Sequence, residues 1–374
     1  MKVLHILSDT NIGGAGKCVL ALARWSNGNQ YKGCVEAALP WQSALKPEFE
    51  SLSIPVYESY YIDDKSFDMR AVTSLRRIIR DTGPDIVHTH AALSGRIAAR
   101  LNGHVKVVNT RHSMFDIKPR DKSLRGRLAT RIVNTLFSDA IIAVSPAVEE
   151  NLTALGAPPN KIHMIFNGVP RAAVYDWSER DEIRAAYGLT RSDFVVSIIA
   201  RLSKEKDHDT VLDAAKKIKD TDKSVKFLIA GAGPTEAHLK QRVNLEDLTN
   251  VLFTGFVKDI ERIENITDLQ INASVGTEAT SMSLISAMSL GIPAVASDFG
   301  GNPYVVMDNV NGLLFPRRSS ELMALAILKI RNNRELYEKM SFHAIETYET
   351  RFTADMMGAK TFALYERLLK GGKA

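Results

Sequence analysis

The stretch "DIVHTHAALSGRIAARLNGHVKVVNTRH", residues Asp85–His112, shows the unit from which the whole chain is built. It begins with a short apolar run at 85–90, continues with a helical pattern at 93–103 and ends in a second apolar run at 106–112. A strand, a helix and a strand in this order form two parallel strands joined by a crossover. The stretch therefore predicts an α/β fold with a parallel sheet that helices cover.

The same alternation continues through both halves of the chain. Further apolar runs that predict strands lie at 2–7, 34–40, 54–59, 141–145 and 162–169, and then at 194–203, 226–233, 251–257, 269–274 and 293–297. The 374 residues exceed the roughly 250–300 that one hydrophobic core usually holds. We expect two Rossmann-like, doubly wound domains that face a cleft, 1–170 and 171–351, with a last helix at about 352–374 packing back on the first.

The composition is that of a globular enzyme, with 45% hydrophobic and 24% charged residues. No apolar run of about 18 residues predicts a membrane-spanning helix. The two cysteines, Cys18 and Cys34, are too few for a disulfide framework and favour a reducing cytoplasm. A net charge of +5 is too small to indicate nucleic acid binding.

Positive charge is concentrated in residues 111–131. The cations there are Arg111, Lys118, Arg120, Lys122, Arg125, Arg127 and Arg131, against the two acidic residues Asp116 and Asp121. One interpretation is a contact with anionic lipid head groups at the inner face of the cell membrane. The other is an ordinary solvated helix, and the sequence leaves both open.

Two motifs follow predicted strands of the first half. In "NIGGAGK", Gly13 and Gly14 either bring backbone close to a ligand at a helix N-terminus or form a tight turn. His88 and His90 end one strand and His112 ends another. No third ligand is evident beside His88 and His90, so we predict no metal site there. His112 either faces a ligand at the carboxyl end of its strand or is a polar loop residue.

In the second half, Arg201 and Lys206 lie between a predicted strand and a helix. Two cations at a helix N-terminus can hold a phosphate, although a solvated charged loop has the same composition. The nearby Asp207 and Asp209 are interpreted as residues that cap a helix, and not as metal ligands.

A single carboxylate, Glu278, opens the segment "SVGTEATSMSLISAMSLGIPAVASDFGGNP" at 274–303. The small residues that follow it precede an apolar helix, which leaves backbone N–H groups available to an anion. A carboxylate beside a phosphate is destabilised because the two negative charges repel each other. Glu278 is therefore expected to bind sugar hydroxyls.

The order of these motifs, completed by "GIPAVASDFGGNP" and "NGLLF", resembles the retaining glycosyltransferases of family 4 over nearly the whole chain. The resemblance implies the GT-B fold and transfer of a sugar from a nucleoside diphosphate sugar, with UDP favoured, to a glycan or lipid-linked acceptor. A place in bacterial polysaccharide or cell-envelope synthesis, in the cytoplasm, is implied likewise. No cofactor and no metal are expected, because the proposed same-face attack lets the leaving phosphate help to deprotonate the acceptor.

The resemblance also implies a role for individual residues. Arg201 and Lys206 would hold the diphosphate, His112 would support catalysis near the transferred sugar, and Glu278 would bind that sugar. The remaining donor contacts would be Gly13, Gly14, Gly231, Val257, Ser281, Met282, Ser283 and Ser286.

The chain departs from the family pattern at three places. Ser286 stands where the family has the second Glu of its E-x7-E pattern, Tyr304 stands where a Glu often follows the glycine pair, and Ala279-Thr280-Ser281 replaces Gly-Phe-Gly. Ser286 cannot make charged hydrogen bonds, which contribute roughly 1.5–3 kcal/mol. A nucleotide-sugar epimerase or hydrolase of the same fold, and a non-catalytic nucleotide-sugar-binding subunit, therefore stay open as alternatives.

Overall fold

A computed structural model describes residues 1–8, 10–61, 67–90, 92–114 and 117–371 of the protein. The chain divides into two compact units. Unit 1 comprises Met1–Val169 and Ala354–Ala374, and unit 2 comprises Pro170–Thr353. No helix in the described ranges is both long and apolar enough to cross a membrane.

Unit 1 contains a parallel sheet that has, among the described residues, seven strands in the order β3-β2-β1-β4-β5-β6-β7. The strands are β1 (Val3–Leu7), β2 (Val35–Pro40), β3 (Val56–Ser59), β4 (Ile86–His90), β5 (Lys106–Arg111), β6 (Ala140–Ala143) and β7 (Ile162–Met164). The central strands β1 and β4 are buried along their whole length, as expected for a sheet that helices cover on both faces.

The helices of unit 1 follow the strands in alternation. They are α1 (Gly14–Asn27), α2 (Lys46–Ser51), α3 (Met69–Thr82), α4 (Leu93–Arg100), α5 (Pro119–Lys122), α6 (Leu124–Phe137), α7 (Pro146–Ala154) and, from the end of the chain, α16 (Ala354–Leu369). The last of these packs on α1, where a Cβ at Gly358 would lie 2.2 Å from the Trp25 ring. Glycine at 358 therefore lets the terminal helix lie flat against the first one.

Unit 2 has a parallel sheet of six strands within the described ranges, in the order β10-β9-β8-β11-β12-β13. The strands are β8 (Phe194–Ile199), β9 (Val225–Ala230), β10 (Val251–Gly255), β11 (Leu269–Asn272), β12 (Ala294–Ser297) and β13 (Gly312–Phe315). The helices are α8 (Trp177–Ala186), α9 (His208–Lys219), α10 (Glu236–Leu245), α11 (Glu261–Glu264), α12 (Met282–Ser289), α13 (Asn302–Val305), α14 (Ser320–Arg331) and α15 (Arg334–Arg351).

The strand order of each sheet reverses at its centre, between β1 and β4 in unit 1 and between β8 and β11 in unit 2. The predicted fold of two Rossmann-like parallel sheets is thereby confirmed. In such sheets, ligands bind outside the carboxyl ends of the strands that flank the reversal. The loops after β1, β4, β5, β8 and β11 are therefore where functional side chains are expected.

Candidate functional site

The loop after β8 carries the two predicted phosphate ligands. Arg201 is exposed, and its guanidinium has no hydrogen bond or ion pair among the described residues. Lys206 ends a 3-10 turn, Lys204–Lys206, and Asp207 then adopts a left-handed backbone (φ 48°) that turns the chain into α9. The two cations therefore lie at the carboxyl end of a strand and before a helix, as predicted.

Lys206 reaches across to the loop after β11 and pairs with Glu278. Its Nζ donates to Glu278 Oε2 at 2.6 Å, and the same oxygen accepts from Ser274 Oγ at 2.8 Å and from Asn272 Nδ2 at 3.1 Å. The Glu278 carboxylate is only 6% exposed. Burial raises the pKa of this carboxyl, but the Lys206 charge and the three hydrogen bonds outweigh it and hold the pKa below its ordinary value. Glu278 is therefore a buried, ionised carboxylate.

The glycine pair after β12 holds the Glu278 loop in place. Gly301 donates its N–H to the Glu278 carbonyl at 3.0 Å. A Cβ at Gly300 would lie 2.2 Å from that carbonyl oxygen, and one at Gly301 would lie 1.8 Å from the Ala279 oxygen. Gly300 also has a positive φ of 60°, which other residues rarely adopt. Two glycines are needed because backbone packs directly on backbone here.

The N-terminus of α12 lies directly after this loop. Ser281 is its N-cap, and its Oγ accepts from the Leu284 N–H at 3.4 Å and from Asn272 Nδ2 at 2.9 Å. Met282 and Ser283 form the first turn. The structure thus brings together Lys206, Glu278 and the Ser281–Ser283 backbone through the shared amide of Asn272.

Ser286 has a partner that the sequence did not reveal. Its Oγ donates to Glu264 Oε2 at 2.9 Å, and Glu264, on α11, is completely buried. A carboxylate therefore lies behind the serine that replaces the second glutamate of the family pattern. The sequence carried no signal for this contact, because Glu264 lies in a charged stretch, 258–268, that also contains Asp259, Glu261 and Asp268.

The last two predicted residues of unit 2 lie in the loops after β9 and β10. Gly231 has φ 148°, and a Cβ there would lie 2.0 Å from the Ala200 carbonyl oxygen, next to Arg201. Val257 is half-buried and packs against the apolar cluster beneath β8 and β9. Gly231 therefore permits the close packing of the β8 and β9 loops.

The acidic residues beside Lys206 are engaged within the protein. Asp207 is the N-cap residue of α9, and its Oδ2 accepts from Thr210 Oγ1 at 2.6 Å. Asp209 Oδ1 accepts from Arg242 Nη1 at 2.7 Å and lies 3.0 Å from His238 Nε2. These carboxylates stabilise the start of α9.

In unit 1, α1 begins at Gly14, with Gly13 as an N-cap residue that supplies no side-chain hydrogen bond. The first turn therefore offers backbone N–H groups without a capping side chain. A Cβ at Gly16 would lie 2.6 Å from Leu45, so this third glycine serves packing. The roles of Gly13 and Gly14 in donor binding stay predictions.

His112 lies directly after β5 and is partly buried. Its Nε2 lies 2.7 Å from His90 Nδ1, and burial lowers its pKa to about 4. The expectation that no third ligand lies beside His88 and His90 is wrong, because β1 pairs with β4 and places the imidazole of His5 opposite His88. Ring nitrogens of His5, His88 and His90 all lie within 4.8 Å of one another.

Two family models match the chain. The model of "Glycosyl transferases group 1" matches residues 179–347, and the model of "Glycosyltransferase Family 4" matches residues 12–172. Together they span most of both units.

Curated relatives and solved structures agree with these matches. The chain is 24% identical over 316 residues to the N-acetyl-alpha-D-glucosaminyl L-malate synthase of Bacillus anthracis, which covers 82% of this chain and 81% of the relative. It is 26% identical over 288 residues to the UDP-Gal:alpha-D-GlcNAc-diphosphoundecaprenol alpha-1,3-galactosyltransferase of Escherichia coli, with 72% of each chain covered. Anabaena HepE, solved in complex with UDP, superposes with a TM-score of 0.83 at 22% identity over 98% of this chain and 100% of its own.

Proposed function

We propose that this chain, which belongs to glycosyltransferase family 4, transfers a sugar from a UDP-sugar to a glycan or lipid-linked acceptor with retention of anomeric configuration. The observation that carries the proposal is the pairing of Lys206 with the buried, ionised Glu278, with the exposed Arg201 on the same loop as Lys206. UDP is favoured because Anabaena HepE is solved with UDP and with UDP-glucose, and because the Escherichia coli relative is named for UDP-Gal. The name of that relative also supports a lipid-linked acceptor in a bacterial polysaccharide or cell-envelope pathway.

In the proposed reaction, the bond between the sugar's anomeric carbon and the diphosphate oxygen breaks. The charge that builds on the diphosphate is stabilised by Arg201, by Lys206 and by the N–H groups at the start of α12. The acceptor oxygen bonds to the same face of the anomeric carbon, and its proton passes to the departing phosphate. Arg201 and Lys206 supply the positive charge that balances the departing diphosphate, so we propose that the chemistry needs no metal.

The other donor contacts follow from the same arrangement. Glu278 presents its carboxylate to sugar hydroxyls while Lys206 keeps it ionised. Ser286 commits its proton to Glu264, which leaves the serine oxygen as an acceptor for a hydroxyl of the nucleotide. In unit 1, Gly13, Gly14 and His112 are the proposed contacts.

A panel of UDP-, GDP- and ADP-sugars, each with and without a lipid-linked diphosphate sugar as acceptor, tests the proposal. We expect UDP release that depends on the acceptor, and a product whose anomeric configuration, read by NMR, matches that of the donor. Conversion of the donor without acceptor would instead establish an epimerase or hydrolase. Binding of the donor without turnover would establish a non-catalytic subunit.

We further propose that α6 lies on an anionic membrane at its cytoplasmic face. Large apolar side chains are exposed at every fourth position of this helix, from Leu124, which is 84% exposed, through Leu128 and Ile132 to Leu136. Exposed cations accompany them on the same helix, on α5 and directly before α5: Lys118, Arg120, Lys122, Arg125, Arg127 and Arg131. A solvated charged helix has no need of an exposed apolar stripe, whereas an interfacial helix requires both features. The stripe extends beyond the predicted 111–131 segment, and Asp116 of that segment lies outside the described residues.

Leu128→Glu tests this surface. Burial of one leucine stabilises by about 1.5–3 kcal/mol, so its replacement should lower partitioning onto phosphatidylglycerol vesicles about ten- to hundredfold. The measurement is co-sedimentation with sucrose-loaded vesicles. Leu245→Glu, at an exposed leucine of unit 2, is the matched control. Wild-type protein that pellets no better with phosphatidylglycerol than with phosphatidylcholine would refute the proposal.

A further inference from the structure

A row of imidazole rings runs through the sheet of unit 1 and ends at His112. His5 comes from β1, His90 from β4, and His112 directly follows β5. His5 Nδ1 lies 3.0 Å from His90 Nε2, and His90 Nδ1 lies 2.7 Å from His112 Nε2. Three rings are therefore joined in line by two hydrogen bonds.

The two ends of the row are buried nitrogens that have no hydrogen-bond partner among the described residues. They are His5 Nε2 at one end and His112 Nδ1 at the other. Buried polar atoms are normally paired, and a neutral imidazole has one N–H and one lone pair. Burial lowers the pKa of His5 to about 3, and burial together with the neighbouring imidazoles holds that of His90 well below 6.5. The rings are therefore neutral at neutral pH.

Neutral rings in this row have only two arrangements that satisfy both hydrogen bonds. In one, every ring carries its proton on Nδ1, and His112 presents an N–H. In the other, every ring carries its proton on Nε2, and His112 Nδ1 presents a lone pair. The tautomer of His112 is thus coupled to a ring that it does not touch.

We propose that His5 and His90 are positioning residues that set the tautomer of His112, so that Nδ1 either donates to or accepts from a substrate hydroxyl without acquiring charge. A hydroxyl is the matching ligand because it also both donates and accepts. His88, which stacks on His90 with ring centroids 4.4 Å apart, takes no part in the row. The term substrate rests on the proposed function, but the coupling of the rings does not.

A metal ion at His5, His88 and His90 is the competing interpretation. Both ring nitrogens of His88 are hydrogen-bonded, which leaves neither available to a metal. Nδ1 lies 2.5 Å from the Tyr365 hydroxyl, and Nε2 lies 2.6 Å from Thr110 Oγ1. Both nitrogens of His90 are used in the row. The donor set therefore favours the row of hydrogen bonds over a metal.

The test reads the rings directly by 15N NMR of ring-labelled protein without substrate. In the wild type, we expect His5, His90 and His112 to share one tautomer, or to exchange together between both. Opposite tautomers at His5 and His112, or a stoichiometric transition metal in the purified protein, would overturn the proposal. This NMR measurement uses the wild-type protein, so its result does not depend on whether a substitution impairs folding.

His5→Leu and His5→Asn then test the coupling. Loss of the hydrogen bond to His90 in His5→Leu should change the tautomer ratio of His112 about three- to tenfold, the equivalent of one hydrogen bond. His5→Asn places an amide where Nδ1 was and should restore the wild-type ratio. His163→Leu, on β7, is the control and should leave the ratio unchanged. An unaltered ratio in His5→Leu would refute the coupling, whereas coupled rings without transfer activity would refute the proposed function alone.

Discussion

Arg201→Ala will lower transfer activity about 10²- to 10³-fold and leave the thermal unfolding midpoint unchanged. This magnitude is typical of removing one preorganised group that stabilises charge developing in a transition state. Arg201 is exposed and has no ion pair or hydrogen bond in the described part of the chain, so its removal breaks neither kind of interaction and costs only a Coulombic attraction to Glu205 near the protein surface. The measurement is the acceptor-dependent rate of UDP release, together with a thermal melt.

Lys206→Ala is expected to lose activity to the same degree and also to destabilise the protein. Removing Lys206 leaves the Glu278 carboxylate buried without its charged partner. Breaking a buried ion pair in this way costs about 3–5 kcal/mol. The Lys206 side chain is 24% exposed, so we expect the lower end of that range.

Lys204→Ala provides the matched control for both substitutions. Lys204 belongs to the same 3-10 turn and is exposed, but it has no described contact with Glu278. We expect it to retain full activity and stability. Near-normal turnover in both Arg201→Ala and Lys206→Ala would contradict the phosphate-binding role, whatever their stability.

The strands of both sheets could be predicted because buried parallel strands are nearly continuous apolar runs between helical patterns. The positions of Arg201, His112 and Glu278 at the carboxyl ends of strands could also be predicted, because each residue lies at or just after the end of such an apolar run. The strand β13 was missed because "NGLLF" was read as a family motif and not as an apolar run, although Gly312–Phe315 is as long as β12, which was predicted.

The partners of these residues could not be predicted. Lys206 and Glu278 are 72 positions apart, and they meet only because β8 and β11 are neighbours in the sheet. Glu264 lies 22 positions before Ser286, and the two residues meet only in the folded unit, where α11 packs on α8. His5 meets His90 across 85 positions through the pairing of β1 with β4. Apolar periodicity reports which residues face the core, but it carries no information on strand order.

Glu278→Gln is expected to lower kcat/KM for the donor about 10- to 100-fold, because a charged hydrogen bond to a sugar hydroxyl contributes roughly 1.5–3 kcal/mol. It should also reveal the ionisation of Glu278 in the pH dependence of stability. The folded-state pKa of this carboxyl lies below its ordinary value of 4.5. A lowered pKa means that the stabilisation is complete above the unfolded-state value and is lost as the pH falls through the folded-state value.

Urea midpoints of the wild type and of Glu278→Gln should therefore differ by a constant amount above about pH 5.5, one unit above the ordinary pKa, and converge as the pH falls below 4.5. The buried histidines also titrate in acid, but they do so in both proteins and cancel in the difference. Glu321→Gln, whose side chain is 74% exposed, is the control and should follow the wild type at every pH. A difference between the wild type and Glu278→Gln that persists unchanged to pH 3 would show that the buried carboxylate owes its contribution to shape and not to charge. The pairing with Lys206 would then have to be abandoned as the source of an ionised Glu278.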